Sequence, residues 1–346
     1  MEAWLKDLVK GALDIIYRQW ATLNANVTAA PCRGSVVDPE ALVVATSAFG
    51  RYDARIFDEA MDWCIVNHKI LKPWRLKRIA VEFGEETTRC LAAIFDFIGR
   101  KNKEDLFPGV IQIGEEALDH VPAESLFFSE LKMFEAGKRD PDQVFLRWKL
   151  NRGTPRIRKH SGTPDMRNPG NLMIRLRSYY GTGAKADVVS YLLTGKGGSS
   201  KEIASKIKYN QKSVYDALEQ LVGADMAYKR GGVGNAHYWV DPYDIAESLG
   251  LKDKRPVFFV WADIYRVIYR VLEDVRSNDE KWSSSFFSAE RAKNLAVEVA
   301  QVTRKSGVPL EQIKLPDIRR AQGNEIVDEL KEFMAEVLGT LSKFMD

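Results

Sequence analysis

The sequence is poor in the residues that usually carry metal or redox chemistry. Among 346 residues there are three cysteines and four histidines. Cys32, Cys64 and Cys90 are odd in number, widely spaced and outside any CxxC pair. That pattern excludes a thiolate zinc site and reads as reduced thiols. His68, His120, His160 and His237 form neither HExxH nor HxH, so each reads as a surface or locally bonded histidine. The most apolar stretch, Val257 to Leu272, contains Asp263, Arg266 and Arg270 and is too short and too charged to span a bilayer. The opening residues, MEAWLKDLVK, lack the basic-then-apolar layout of a secretory signal. Gly231-Gly232-Val233-Gly234 lies between two strand-like segments with no helix behind it, which makes it a turn and not a phosphate cradle. Low-complexity sequence is absent. The expectation is a cytoplasmic, non-enzymatic protein with no cofactor, no metal and no membrane partner.

What is present is ordinary core-forming material. The chain is 45% hydrophobic and 29% charged, enough apolar surface for two or three domains. Lys plus Arg number 51 and Asp plus Glu 48, a net charge of +3, which excludes a uniformly polybasic chain. The charge is not evenly spread. From Arg147 to Lys185 there are ten basic residues and one acid, Asp165, a net +9, so the remainder carries −6.

Helical periodicity dominates. It predicts helices over about 2–24, from an Asp53 N-cap to about 67, from Pro73 through Phe83, from Glu85 to Ile98, and over roughly 123–136. Residues 25–40 read as loop. Further helices are predicted from Pro256 to Val275, from Ser288 to Lys305 and from Asn324 to Phe344. Asp53, Asp58, Glu59 and Asp62 cluster on the second helix and read as a solvated acidic face, not an acid–base pair. Cys64 and Cys90 fall on apolar stripes and read as core. Phe258, Phe259, Trp261, Tyr265 and Tyr269, at helical spacing, read as core or dimer interface.

One segment carries a motif. A helix over KADVVSYLLTG is followed by the glycines Gly195, Gly197 and Gly198. Ser199 and Glu202 then form a capping box in front of a second helix that buries Ile203, Ala204 and Ile207. Asn210 N-caps a third helix burying Val214, Ala217, Leu218 and Leu221. MAYKRGGVGNAHYWVD reads as strand, turn, strand. In this order residues 183–240 resemble a winged helix-turn-helix of the MarR/ArsR transcription-regulator type.

The resemblance implies a third helix in the major groove of double-stranded DNA, presenting Gln211, Lys212, Ser213 and Tyr215. Asp216 would share that face. It implies phosphate contacts from Ser199 and Ser200 and from the wing residues Lys229, Arg230, Asn235 and His237. The basic stretch upstream adds Arg152, Arg156, Arg158 and Lys159 as an extended arm on phosphate. Arg175 and Arg177 fall on the helix opened by Pro169.

The fold expectation is mainly α. It comprises a helical N-terminal domain over 1–140, a basic linker and lead-in helix over 141–182, a winged helix-turn-helix over 183–243 and a helical C-terminal region over 244–346. The helices at 257–275 and 324–344 are offered as elements of a homodimer. The effector, if any, is left unknown. The alternative reading is a protein- or RNA-interaction scaffold, antitoxin-like, that uses the same module as a docking surface.

A second copy of the motif is weighed. Moved back 124 residues, the seven core positions of the module land on Ile79, Ala80, Phe83, Cys90, Ala93, Ile94 and Phe97, all apolar or small. Its third helix would open with Glu85 and Glu86, which repel phosphate, and it shows no wing.

Overall fold

A computed structural model describes residues 1–128, 140–195, 197–232, 234–251, 255–278, 282, 285–317 and 324–346. The chain is mainly helical, with two small two-stranded sheets among the described residues. The apolar side chains separate into two clusters. The larger joins residues 4–174 to residues 259–345, and the smaller gathers residues 172–260 together with Val36.

The larger body starts with α1 (Glu2–Thr22) and α2 (Pro39–Phe49). All eleven residues of α2 are buried, so its sequence shows no amphipathic period, and the helix was not anticipated. Asp38 caps it by accepting from the Ala41 N–H, and Pro39 occupies its first turn. Around it pack α3 (Ala54–Asn67), α4 (Pro73–Phe83) and α5 (Glu85–Asn102). α6 (Pro108–Ala117), also unanticipated, lies closely along α5, where Gly114 leaves no room for a Cβ beside Ala92 and Trp148. The helix expected over 123–136 is not formed at its start. Glu124–Ser125 is instead β1, paired in parallel with β2 (Leu150–Asn151), and residues 129–136 lie outside the described residues. A short helix, α7 (Gln143–Arg147), precedes β2.

The smaller body contains α8 (Leu172–Tyr180), α9 (Ala184–Thr194), α10 (Ser200–Lys206) and α11 (Gln211–Gly223). After them come a hairpin of β3 (Tyr228–Arg230) and β4 (His237–Trp239), and α12 (Pro242–Ser248). The chain then returns to the larger body. Residues 256–260 are not helical as expected. They run extended beside Ser35 and Val36, and the helix α13 begins only at Trp261 and ends at Ser277. α14 (Ser285–Lys305) and α15 (Asn324–Lys343) complete it.

The two helices expected at a dimer interface are instead packed inside the larger body. α13 buries Trp261, Ile264, Tyr265, Ile268 and Leu272 against α1, α2 and α14. α15 buries Ile326, Leu330, Phe333, Met334 and Val337 against α1 and α14. Their apolar stripes are covered within one chain. Phe258, Phe259, Trp261, Tyr265 and Tyr269 are all core.

The proposed second copy matches at its core and then departs. All seven of its apolar positions are buried, as are the seven in the later module. The joint between α4 and α5 is the single residue Gly84, with φ of 96°, and α5 leads into α6 instead of a hairpin.

Candidate nucleic-acid interface

The three-helix module is held by local rules that its sequence states openly. Ser199 accepts from the Glu202 N–H and Glu202 accepts from the Ser199 N–H, the reciprocal capping box. That backbone hydrogen bond holds the Glu202 carboxyl below its usual value. Asn210 caps α11 by accepting from the Ser213 N–H at 2.8 Å. Between them Lys208 adopts the left-handed conformation, and its ammonium pairs with Glu82 and Asp263 at 2.8 and 2.7 Å. α10 and α11 are therefore fixed to each other and to the larger body.

The hairpin is tied back at two points. The Gly198 N–H donates to the Tyr238 carbonyl at 3.0 Å and the Tyr238 N–H returns to the Gly198 carbonyl at 2.9 Å. The Tyr238 hydroxyl and the Lys229 ammonium both donate to Glu219 on α11, at 2.6 and 2.7 Å. These donors hold the Glu219 carboxyl below its usual value, while burial and the same contact push the Tyr238 phenol up to about 12. Replacing Glu219 by Ala should loosen the hairpin without unfolding the chain. Faster amide exchange at Tyr228–Arg230 and His237–Trp239, with α1–α5 unchanged, is the expected outcome; unchanged hairpin exchange would refute it.

With one face so anchored, strand alternation turns Tyr228, Arg230, His237 and Trp239 outward. Tyr228 and Trp239 stand opposite each other with rings stacked at 5.8 Å, and both are exposed. On α11, Gln211, Lys212, Tyr215 and Asp216 are exposed and Ser213 is half-buried. Among the described residues neither Lys212 nor Arg230 forms an ion pair. Asn235 is exposed in the turn, and Lys201, also exposed, opens α10 beside the two serines. Lys201 was missed, although it lies inside the capping-box sequence itself.

Several of the expected contacts are already taken. Ser199 is occupied as a cap. Ser200 is buried and its hydroxyl accepts from the Gln211 amide at 3.3 Å. Lys229 belongs to Glu219.

The basic stretch is the main correction. It is not a free arm, because the acidic face of α3 holds it. Arg152 is buried, its guanidinium 2.7 Å from Asp58 and over the rings of Phe57, Phe127 and Phe145 at 5.0–5.6 Å. The Asp62 carboxylate accepts from the backbone N–H groups of Arg158, Lys159, His160 and Ser161 at 2.6–3.3 Å, and from the Ser161 hydroxyl. Lys159 takes the left-handed conformation that brings those N–H groups to one point. Arg158 stands 3.7 Å from Glu59. Arg156, Arg158 and Lys159 keep exposed side chains, and Arg152 leaves the candidate interface.

Arg177 is likewise interior. Its guanidinium spans Glu40 at 2.7 and 2.9 Å and Asp187 at 2.8 and 2.9 Å. Arg75 pairs with Asp38 and Glu40 at 2.5–2.6 Å, and Lys72 meets Asp187 at 3.2 Å and the Tyr209 hydroxyl. Three cations and three carboxylates thus close a buried, neutral cluster. It joins α2 and α4 of the larger body to α8, α9 and the α10–α11 turn. The neighbouring cations hold Glu40 and Asp187 below the usual carboxylate range despite the opposing effect of burial.

Among the described residues no group of His, Cys, Asp and Glu is placed to hold a metal ion, and no helix is long and apolar enough to cross a membrane. Set against family models, curated proteins and solved structures, the chain matches none of them.

Proposed function

We propose that residues 183–240 act as a winged helix-turn-helix that binds double-stranded DNA, and that the chain is a transcription regulator. The observation carrying this reading is the exposed set Lys201, Lys212 and Arg230, none of which forms an ion pair among the described residues. They stand on helix starts and a hairpin that the capping box, Glu219 and the Gly198–Tyr238 contact lock into one unit. α11 would read base edges with Gln211, Lys212 and Tyr215, and the hairpin would lie on phosphate with Arg230, Asn235 and His237. Arg156, Arg158 and Lys159 add positive charge from a fixed loop.

With about three or four phosphates neutralised, the logarithm of affinity should fall against the logarithm of salt with a slope of roughly −3 to −4. Fluorescence anisotropy on duplexes selected from a random pool checks this. Arg230→Ala should weaken all duplexes alike and reduce the slope by about 1. Gln211→Ala with Lys212→Ala should narrow the gap between selected and random duplexes, by roughly tenfold or more. No retention on duplex DNA at low salt, or indifference to all three substitutions, would overturn the reading.

The stacked, exposed Tyr228–Trp239 pair favours a second reading, an interaction surface for protein or RNA. Quenching of Trp239 by single-stranded RNA, with no duplex binding, is the result that would favour it.

A further inference from the structure

One stripe of α4, in the larger body, lies against the turn between α10 and α11. Trp74, Arg78 and Glu82 follow one another at intervals of four residues and so share a helix face. At one end of the stripe Trp74 meets the Tyr209 ring edge to face at 4.3 Å. At the other, Glu82 meets the Lys208 ammonium at 2.8 Å. Arg78 stands between them and is exposed. Arg75, next to Trp74, is buried and donates to the Ile207 carbonyl at 3.0 Å, which fixes the stripe against the turn. We propose that Trp74 and Arg78 extend the DNA-reading surface onto the larger body and hold the backbone of the same duplex just outside the segment that α11 reads. This inference rests on the DNA reading of the module.

Arg78 has no role within the chain. It sits in the middle of α4, away from the last turn, so it does not complement a helix end. Its natural i,i+4 partner, Glu82, is engaged by Lys208 instead. Among the described residues Arg78 forms no ion pair or hydrogen bond and lies over no aromatic ring. The acids at that end of the stripe do not offset it, because Glu82 and Asp263 are matched by Lys208 and Arg266.

Trp74 is an independent sign. Six of the eight tryptophans are buried, whereas Trp74 is 43% exposed. Trp20, Trp63, Trp148, Trp261 and Trp282 each donate their indole N–H to an acceptor in the chain. The Trp74 N–H makes no such bond among the described residues. Tyr209 pins the ring in the open, and the Tyr209 hydroxyl is itself bonded to the Lys72 ammonium. A fixed indole with a free N–H beside an unpaired guanidinium suits a sugar–phosphate backbone: the ring packs on sugar while both groups donate to phosphate. Continuity supports the same partner, since Tyr209 directly precedes Asn210, the cap of α11, and the exposed Gln211 and Lys212.

The test tethers iron–EDTA to Arg78→Cys in the full chain and binds it to a selected duplex. Cys32, Cys64 and Cys90 are buried, so the added thiol takes the label and the unsubstituted chain serves as the control. Hydroxyl-radical cuts should fall at one end of the segment that the protein protects. Arg78→Ala should weaken selected and random duplexes alike, by about three- to tenfold, and reduce the salt slope by about 1; Arg78→Glu should weaken them further. Trp74→Leu should weaken binding to a similar degree and leave the slope unchanged, because an indole carries no charge. Duplex binding that keeps its preference for selected sequences, with no cuts from position 78 and no change in Arg78→Ala, would overturn the proposal and leave the reading of α11 standing. No duplex binding, or binding of single-stranded RNA in its place, would overturn both.

Discussion

Replacing Arg177 by Met is expected to destabilise the chain by about 3–5 kcal/mol at pH 7, the largest effect of any single substitution considered. The guanidinium makes four contacts at 2.7–2.9 Å with two carboxylates that have no solvent exposure. Met fills the space and leaves Glu40 with Arg75, and Asp187 with Lys72, so the cluster becomes a net anion in a low-dielectric site. The pH dependence follows in sign. Both carboxyls titrate below their ordinary range in the native chain. Their stabilisation is present above the unfolded pKa of about 4 and is lost as pH falls through the lower folded values. In the variant both carboxyls move up, so protonation relieves the uncompensated charge. The gap between the two proteins should therefore narrow as the pH is lowered from 7 toward 4.5. Denaturant unfolding at several pH values measures it. A loss under about 1 kcal/mol would show that the cluster is dispensable, and a larger one that does not vary with pH would show that Arg177 acts through packing and not through charge.

Asp62→Ala should release the loop that Asp62 now holds, with a larger effect on cleavage than on folding. Four backbone N–H groups and a hydroxyl converge on one carboxylate. Without it those donors must turn to water, and the left-handed Lys159 loses the contact that offsets its strain. Arg156, Arg158 and Lys159 are exposed and trypsin cuts after such residues, so the first cleavage should fall within 156–159 and accelerate by roughly ten- to a hundredfold. The melting temperature should drop only a few degrees. Sites mapped elsewhere, or a rate equal to that of the parent, would mean that other contacts hold the loop. The same variant bears on DNA: a freed arm carrying three cations should raise nonspecific affinity at low salt.

These two cases also mark what could be seen in the sequence. Local rules were legible because they act within a few residues. Asp53, Ser199 and Asn210 cap the helices they were expected to cap, and the hairpin falls where the turn residues place it. The apolar stripe of α11 is buried as its period requires. What escaped were partnerships across long separations. Arg152 and Asp58 are 94 residues apart, and Arg177 and Glu40 are 137 apart. A run of ten basic residues looks free in one dimension. Its counterpart was noted as an acidic face on α3 and read as solvated, and nothing short of three-dimensional placement links the two. α2 escaped for a different reason: a helix buried on every side carries no period to find.

The way the two apolar clusters divide the chain has a consequence for how it is made. Apart from Val36, the smaller body is one continuous stretch, residues 172–260, whereas the larger needs α1–α5 at one end and α13–α15 at the other. On the ribosome the smaller body can close as soon as its last strand emerges. The earlier helices must wait, with the surface that α13 and α15 will cover still open to water, until those two helices have emerged. The half-made chain is therefore the form most exposed to aggregation and most dependent on chaperones. Truncation before α15 should give an insoluble product that still contains a folded central module.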